Sequence, residues 1–112
     1  MNCRRNYPWY KDWASEFADE EFEIIGIHTP ETDAEHIVDN LAAAMKQAEL
    51  KFPIVVDNDR KNWIAWGNTM WPTVYLIDKE GYVRTWWMGE LDWKGAGKQE
   101  VMKKHIRSLL AE

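Results

Sequence analysis

Residues 71–87 read WPTVYLIDKEGYVRTWW, and this stretch decides the fold class. Its two runs of β-branched and aromatic residues, 73–77 and 82–87, have the composition of strands. They flank the turn sequence Asp78-Lys-Glu-Gly81, whose glycine suits a left-handed turn position. The stretch therefore predicts two neighbouring antiparallel strands joined as a hairpin.

Helical and strand patterns divide the rest of the chain into further elements. The predicted elements are an amphipathic helix over 4–19, a buried parallel strand over 22–28, a helix over 33–50 opened by the capping pattern Thr32-Asp-Ala-Glu35, an extended segment over 52–56, a short helix over 59–66 and a last amphipathic helix over 98–110. If the first helix begins near Cys3, Pro8 should kink it. This order of elements predicts an α/β layered domain with a mixed sheet.

Length and composition limit the classes to which this protein can belong. The chain has 112 residues, and no run approaches the ~20 apolar residues of a membrane span, so we expect one domain over 1–112. A net charge of -5 argues against nucleic acid or an anionic membrane surface as a partner. The single cysteine allows no disulfide within the chain. We expect the eight tryptophans mainly to fill the core rather than to form a surface platform.

The joint order of several short motifs resembles the thioredoxin fold, and within it the TlpA-like redoxin branch of thiol-disulfide oxidoreductases with a C-x-N-C active site. The matching segments are Cys3 followed by Pro8, Ile25-Gly-Ile-His-Thr-Pro-Glu31, Phe52-Pro-Ile-Val-Val-Asp57, Ala65-Trp-Gly67, and Trp71-Pro-Thr-Val-Tyr-Leu-Ile-Asp78 with Gly81. Together they cover nearly the whole chain. The resemblance implies a thioredoxin-like three-layer sandwich with a mixed sheet, here without the family's first central strand.

The resemblance also implies a two-cysteine active site, of which this sequence matches a part. In the family, a thiolate at a helix N-terminus attacks a substrate disulfide, and a thiol three residues on resolves the mixed disulfide. Asn2 and Cys3 match the last two positions of the motif, so Cys3 is the catalytic candidate, at the resolving position. The attacking cysteine would lie one residue before Met1. We expect a domain incomplete at its N-terminus; a complete chain that has lost disulfide exchange is the alternative.

The Trp71-Pro72 sequence is the second candidate element of the site. In the resembled family this X-Pro bond is cis and faces the active-site cysteines, and the backbone before it pairs with extended substrate. An ordinary trans proline at a strand start is the alternative, because only about 5% of X-Pro bonds in folded proteins are cis. The surrounding motif favours a cis bond within reach of Cys3. The candidate substrate-binding residues are therefore Met70, Trp71 and Pro72.

The resemblance implies one main function and leaves two rivals. The main one is a thiol-disulfide oxidoreductase acting on disulfides or dithiols of protein partners, an enzyme in its complete form and inactive as the 112-residue chain. The first rival is a redox-silent thioredoxin-like module that holds a peptide without chemistry. The second is a peroxiredoxin-type peroxidase, against which Asn2 and the lack of a preceding threonine count. Relatives of this branch usually work outside the cytoplasm, although no signal segment is visible in this sequence.

Other motifs predict little chemistry. Histidines 28, 36 and 105 share no ligand spacing, so we expect no metal and no cofactor. Asp57-Asn-Asp59 is similar to the start of a calcium loop, but the positions that follow do not fit one. We predict instead that Asp57 or Asn58 caps the short helix, which Gly67 ends. Glu31 is expected to be a solvated loop carboxylate.

The absent central strand raises a question of pairing. In the resembled fold it runs between the strands predicted over 22–28 and 73–77. Unpaired buried backbone groups on both sides of such a gap would cost more than a small domain can bear. We therefore expect the two strands to pair directly and in parallel, or another copy of the chain to fill the gap, giving a homodimer.

Overall fold

The computed structural model describes residues 2–30 and 37–112, with side chains from residue 4 onward. The helices over these ranges are α1 (Tyr7–Glu16), α2 (Val38–Ala48), α3 (Lys61–Ala65) and α4 (Lys98–Leu110), with 3₁₀ turns at Asn2–Asn6 and Trp93–Gly95. The strands are β1 (Gly26–His28), β2 (Ile54–Val56), β3 (Thr73–Ile77) and β4 (Val83–Met88). The predicted capping pattern at 32–35, together with Glu31 and His36, lies outside the described residues.

The chain divides into two compact units. One contains the residues up to Phe22 together with Thr69–Glu112, and the other contains Glu23–Asn68. Helices α1 and α4 and strands β3 and β4 belong to the first unit, and the remaining helices and strands belong to the second. No helix in the described ranges has the length and apolar character needed to cross a membrane.

Strands β3 and β4 confirm the predicted hairpin. They pair antiparallel, with Thr73 opposite Met88 and Leu76 opposite Thr85. The register then shifts by one residue at Arg84, which forms a bulge near the turn. The last helix also begins and ends where the sequence predicts, at 98 and 110.

The carboxylate of Asp78 organises the hairpin turn. It accepts hydrogen bonds from the amides of Glu80 and Tyr82, each at 2.9 Å, and Gly81 takes the positive φ of +92° that the turn requires. Arg84 donates a hydrogen bond to the same carboxylate at 3.2 Å. The Tyr82 amide is the main cause that holds the pKa of Asp78 below its ordinary value of 3.8, and Arg84 acts in the same direction.

A lowered pKa makes this turn a pH-dependent source of stability. The contribution of Asp78 is complete above its unfolded pKa of 3.8 and is lost as pH falls through the lower folded value. We expect Asp78→Asn to lower the urea midpoint of unfolding by about 0.5 M at neutral pH, and the difference to close at acid pH. Glu80→Gln, in the same turn, is the control, and it should leave the urea midpoint unchanged at both neutral and acid pH. A difference that stays constant down to the lowest pH tested would contradict this role.

The strand that pairs with β1 lies in the segment 52–56, which the sequence predicts only as extended. It pairs in parallel with β2, Gly26 opposite Ile54. Gly26 donates to the Pro53 carbonyl at 2.9 Å, and the His28 carbonyl accepts from the Asp57 amide at 2.8 Å. Among the described strands, β1 pairs with β2 and β3 pairs with β4. The expected direct pairing of 22–28 with 73–77 is not among the strand pairings of the described residues, in which β2 is the partner of β1.

Two expectations about burial are also wrong. The strand over 22–28 is not buried, since Ile25 is 60% exposed and Ile27 is exposed as well. Burial of a parallel strand requires cover on both faces, which a pair of three-residue strands does not provide. Of the eight tryptophans, Trp13 is buried, whereas three of them are exposed: Trp66, Trp86 and Trp93. Core filling therefore explains only part of the tryptophan content.

The N-cap position of α3 is Arg60, whose side chain makes no capping bond. The first-turn amides are capped instead by Asp57, one of the two predicted residues. Its carboxylate accepts the amides of Asn62 at 3.1 Å and Trp63 at 2.9 Å, and the Thr29 hydroxyl donates to it at 2.8 Å. Burial by itself would raise the pKa of this carboxyl. The three hydrogen bonds outweigh burial, so the pKa of Asp57 is lowered. Gly67, with a φ of +67°, follows the helix.

Helix α1 supplies much of the core of the first unit. It begins at Tyr7, so Pro8 lies in its first turn. A kink at Pro8 is expected only for a helix that begins near Cys3, and this condition is not met, because Asn2–Asn6 form a 3₁₀ turn before α1. Trp13 on this helix and Phe17 directly after it are buried, and Lys103 of α4 makes an ion pair with Asp12 of α1 at 2.7 Å.

Candidate active site

The candidate site begins in the segment that carries Cys3. Cys3 lies in the 3₁₀ turn Asn2–Asn6, which leads directly into α1. Its thiol lies outside the described side chains, so the surroundings of the site are defined by the residues that follow it. Arg5 and Asn6 both reach the segment Glu90–Leu91, some 85 positions along the chain.

Asn6 makes the buried half of this connection. Its side chain is fully buried, at 0% exposure. Its Oδ1 accepts a hydrogen bond from the Leu91 amide at 3.0 Å, and its Nδ2 donates to the hydroxyl of Tyr10 at 3.0 Å. Asn6 therefore holds the turn that contains Cys3 against the loop that follows β4.

Arg5 and Glu90 make the outer half of the connection. The Arg5 Nη1 lies 3.0 Å from Glu90 Oε1 and 3.3 Å from Oε2, and Glu90 is buried while Arg5 is largely exposed. The indole Nε1 of Trp87 donates to the Glu90 carbonyl at 3.1 Å. The carboxylate of Glu90 thus has a cationic partner, as a buried charge requires, and its backbone is fixed to β4.

The Trp71-Pro72 bond is cis, as the resemblance implies. Pro72 is buried, and its carbonyl accepts a hydrogen bond from the Gly89 amide at 2.7 Å. The Thr73 hydroxyl donates to the Met70 carbonyl at 2.7 Å, which closes the turn around the proline. Gly89 has a φ of +93°, a conformation that favours glycine, and lets the chain turn from β4 into the loop.

The segment Gly89–Leu91 joins the two candidate elements. One end is hydrogen-bonded to Pro72, and the other is held by Asn6, three residues after Cys3. The fold of the first unit therefore connects the backbone around Cys3 to the cis-proline turn through three consecutive residues. Of the candidate substrate-binding residues, Met70 is exposed, Trp71 is half-buried and Pro72 is buried.

Sequence reasoning missed Arg5, Asn6 and Glu90. An asparagine two residues before a proline has the pattern of a helix N-cap, but the Asn6 side chain makes no capping bond to α1. Glu90 lies in a glycine-containing loop, where a carboxylate is ordinarily solvated. No sequence signal pairs residues that lie 85 positions apart.

The described side chains offer no alternative metal centre. Over residues 4–30 and 37–112, no group of three or more histidine, cysteine, aspartate or glutamate side chains is placed to hold a metal ion.

The chain is similar in sequence to several known proteins. The model of a family described as the AhpC/TSA family matches residues 1–86. Protein DipZ of Mycobacterium bovis is 36% identical over 110 residues, which are 98% of this chain and 15% of that protein. The thiol-disulfide oxidoreductase ResA of Bacillus cereus is 28% identical over 107 residues, which are 96% of this chain and 56% of ResA. The chain thus spans only part of the length of these relatives.

A solved structure shows the same fold. It is described as a thiol:disulfide interchange protein DsbE from Chlorobium tepidum, and it superposes with a TM-score of 0.82 over 97% of this chain and 71% of its own. The two sequences are 18% identical, so the likeness concerns the fold. The expected thioredoxin-like fold is confirmed.

Proposed function

Because this chain belongs to the AhpC/TSA family of thioredoxin-like redoxins, we propose that it is part of a thiol-disulfide oxidoreductase whose resolving cysteine is Cys3. The observation that carries the proposal is the connection through Gly89–Leu91 between the Trp71-Pro72 turn and the turn that contains Cys3. The relative ResA, described as a thiol-disulfide oxidoreductase, supports the same reaction class.

The proposed reaction moves two electrons from a dithiol to a substrate disulfide. An attacking thiolate forms a mixed disulfide with one substrate sulfur and releases the other as a thiolate. The Cys3 thiolate then attacks the enzyme sulfur of that mixed disulfide and releases the second substrate thiolate. The enzyme is left with an internal disulfide, and the substrate has gained two electrons.

The substrate would be an extended segment of a protein, bound at the cis-proline turn. Met70 and Met88 are both exposed. The sulfur of Met70 lies close to Gly89, because a Cβ atom built on that glycine would be 3.9 Å from Met70 Sδ. Flexible thioether side chains adapt to varied apolar partners, so this surface suits substrates whose cysteines lie in apolar surroundings. In this proposal, Trp71 supplies the backbone that pairs with the segment.

The unmodified 112-residue chain provides the first test. We expect insulin reduction at background level, because one thiol cannot complete the two-step exchange. We expect one mixed disulfide per chain after incubation with oxidised glutathione, and none in Cys3→Ser, as measured by intact mass. Turnover like that of a dithiol enzyme would mean that the active site lies elsewhere.

Two further outcomes would support one of the alternative functions, a redox-silent binding module or a peroxidase. No glutathione adduct on folded wild-type chain would favour a redox-silent binding module. Hydrogen peroxide consumption by the wild-type chain well above that of Cys3→Ser would favour a peroxidase. Either result would contradict the proposed exchange reaction at Cys3.

A further inference from the structure

Two exposed methionines lie beside the cis-proline turn. Met70 directly precedes the Trp71-Pro72 bond. Met88 is the last residue of β4 and lies opposite Thr73 in the ladder with β3. The two side chains are 45% and 48% exposed, whereas Met102 in the core of the same unit is 4% exposed. The first unit therefore presents two thioethers to solvent at the turn where the substrate segment is proposed to bind.

Contacts between the two segments hold these sulfur atoms at the turn. The Thr69 hydroxyl donates a hydrogen bond to Met88 Sδ at 3.9 Å, and both residues are exposed. Met70 Sδ lies beside Gly89, at 3.9 Å from a Cβ atom built on that glycine. The sulfur of each methionine thus lies beside the segment that carries the other. Oxidation of either sulfur would therefore place a new polar atom at the junction of the two segments.

We propose that Met70 and Met88 form a site of reversible oxidation by hydroperoxides, and that oxidation weakens substrate binding at the turn. The sulfur donates an electron pair to the terminal oxygen of the hydroperoxide, so that a sulfur–oxygen bond forms and the oxygen–oxygen bond breaks. The proton of that oxygen passes to the departing oxygen, which leaves as water or an alcohol. Each methionine loses two electrons and each peroxide gains two, so no further reactant is needed.

Polarity is the reason for the expected effect on binding. A thioether is apolar and adapts to varied partners, whereas a sulfoxide is polar and disrupts contacts that depend on methionine. This role rests on the proposed function, in which the surface of Met70 and Met88 holds a substrate segment with apolar surroundings. Methionine sulfoxide reductases restore the thioether, which makes the change reversible. Regulation by this route needs no change at the thiol of Cys3.

Peptide mapping by mass spectrometry tests the oxidation itself. Cys3 of the full chain is first masked as its mixed disulfide with glutathione, so that its thiol does not react, and hydrogen peroxide is then added. We expect Met70 and Met88 each to gain one oxygen atom at least ~10-fold faster than the buried Met102, because access of peroxide to sulfur sets the rate. Circular dichroism confirms that the chain stays folded. Equal rates at the three methionines of the folded chain would overturn the proposal.

A tethered peptide tests the effect on binding. After peroxide treatment, dithiothreitol releases Cys3 and leaves the sulfoxides intact, and a peptide with one cysteine between apolar residues is then linked to Cys3 through a disulfide. In the untreated chain we expect nuclear Overhauser effects between the peptide and Trp71. These contacts should be lost in the treated chain. They should return when methionine sulfoxide reductases for both epimers act on the treated chain before the peptide is linked.

Two methionine variants show which sulfur atoms are responsible. Met70→Leu combined with Met88→Leu keeps the surface apolar without sulfur, so the peptide should still contact Trp71 after peroxide treatment. Met45→Leu removes a half-buried methionine of α2 and is the control, in which peroxide should abolish the contacts as it does in the unmodified chain. Loss of the contacts in the double leucine variant would place the effect at another residue and overturn the proposal.

The untreated chain distinguishes failure of this role from failure of the proposed function. If the peptide contacts Trp71 equally well before and after oxidation of Met70 and Met88, the proposed function stands and the oxidative role is wrong. If the peptide makes no contact with Trp71 even before peroxide is added, the proposed function fails, and the oxidative role fails with it.

Discussion

A cysteine appended directly before Met1 is expected to raise insulin reduction at least ~10-fold above the background of the unmodified chain. The extension completes a Cys-x-Asn-Cys spacing with Cys3, so one thiol can attack and the other can resolve. The added residue should be exposed as the N-terminus by cleavage of a tag. Turnover is measured with a thiol reductant that regenerates the dithiol.

Two matched variants isolate the roles of the thiols in this gain. A serine appended at the same place keeps the length of the chain without the attacking sulfur, and should leave insulin reduction at background. The appended cysteine combined with Cys3→Ser keeps the attacking thiol but stops at the mixed disulfide. If this last variant turned over as fast as the two-cysteine chain, Cys3 would not be the resolving thiol.

Asn6→Ala is expected to lower the free energy of unfolding by about 1–3 kcal/mol. The change leaves the buried Leu91 amide without its acceptor at 3.0 Å and removes the donor to the Tyr10 hydroxyl. Urea unfolding followed by circular dichroism measures the loss. Asn6→Asp keeps an acceptor for Leu91 and should recover part of it.

The exposed residue Gln47 on α2 provides the control for Asn6. Gln47→Ala should change the free energy of unfolding by less than about 0.5 kcal/mol, as surface substitutions usually do. If Asn6→Ala cost as little as Gln47→Ala, the connection between the turn of Cys3 and the loop after β4 would not contribute to stability.

The parts of the fold that sequence predicts well depend on neighbours in the chain. The hairpin follows from strand composition on both sides of a turn that contains Asp78 and Gly81, and Gly81 takes the positive φ that the sequence predicts. Helix α4 follows from its apolar spacing, with Met102 and Ile106 buried. The Asp57 cap is equally local, since it acts on amides five and six residues away.

The parts that sequence does not predict depend on residues far apart. The Arg5–Glu90 ion pair and the Asn6–Leu91 hydrogen bond form only once the chain has folded. Strands β1 and β2 pair through backbone hydrogen bonds. Because every residue offers much the same backbone groups, the sequence does not indicate which strand is the partner. Exposure of Trp86 likewise depends on which elements cover β4 rather than on the residue itself. The cis bond before Pro72 was predicted from the resemblance, against the general preference for trans.

The central claim is that Cys3 and the Trp71-Pro72 turn form one substrate site. The most direct measurement links a peptide with a single cysteine to Cys3 through a disulfide and records nuclear Overhauser effects between peptide and protein. Contacts from the peptide to Met70 and Trp71 are expected, with a backbone amide of the peptide protected by pairing with Trp71. Contacts confined to the residues around Cys3, with the resonances of Trp71 unchanged, would contradict it.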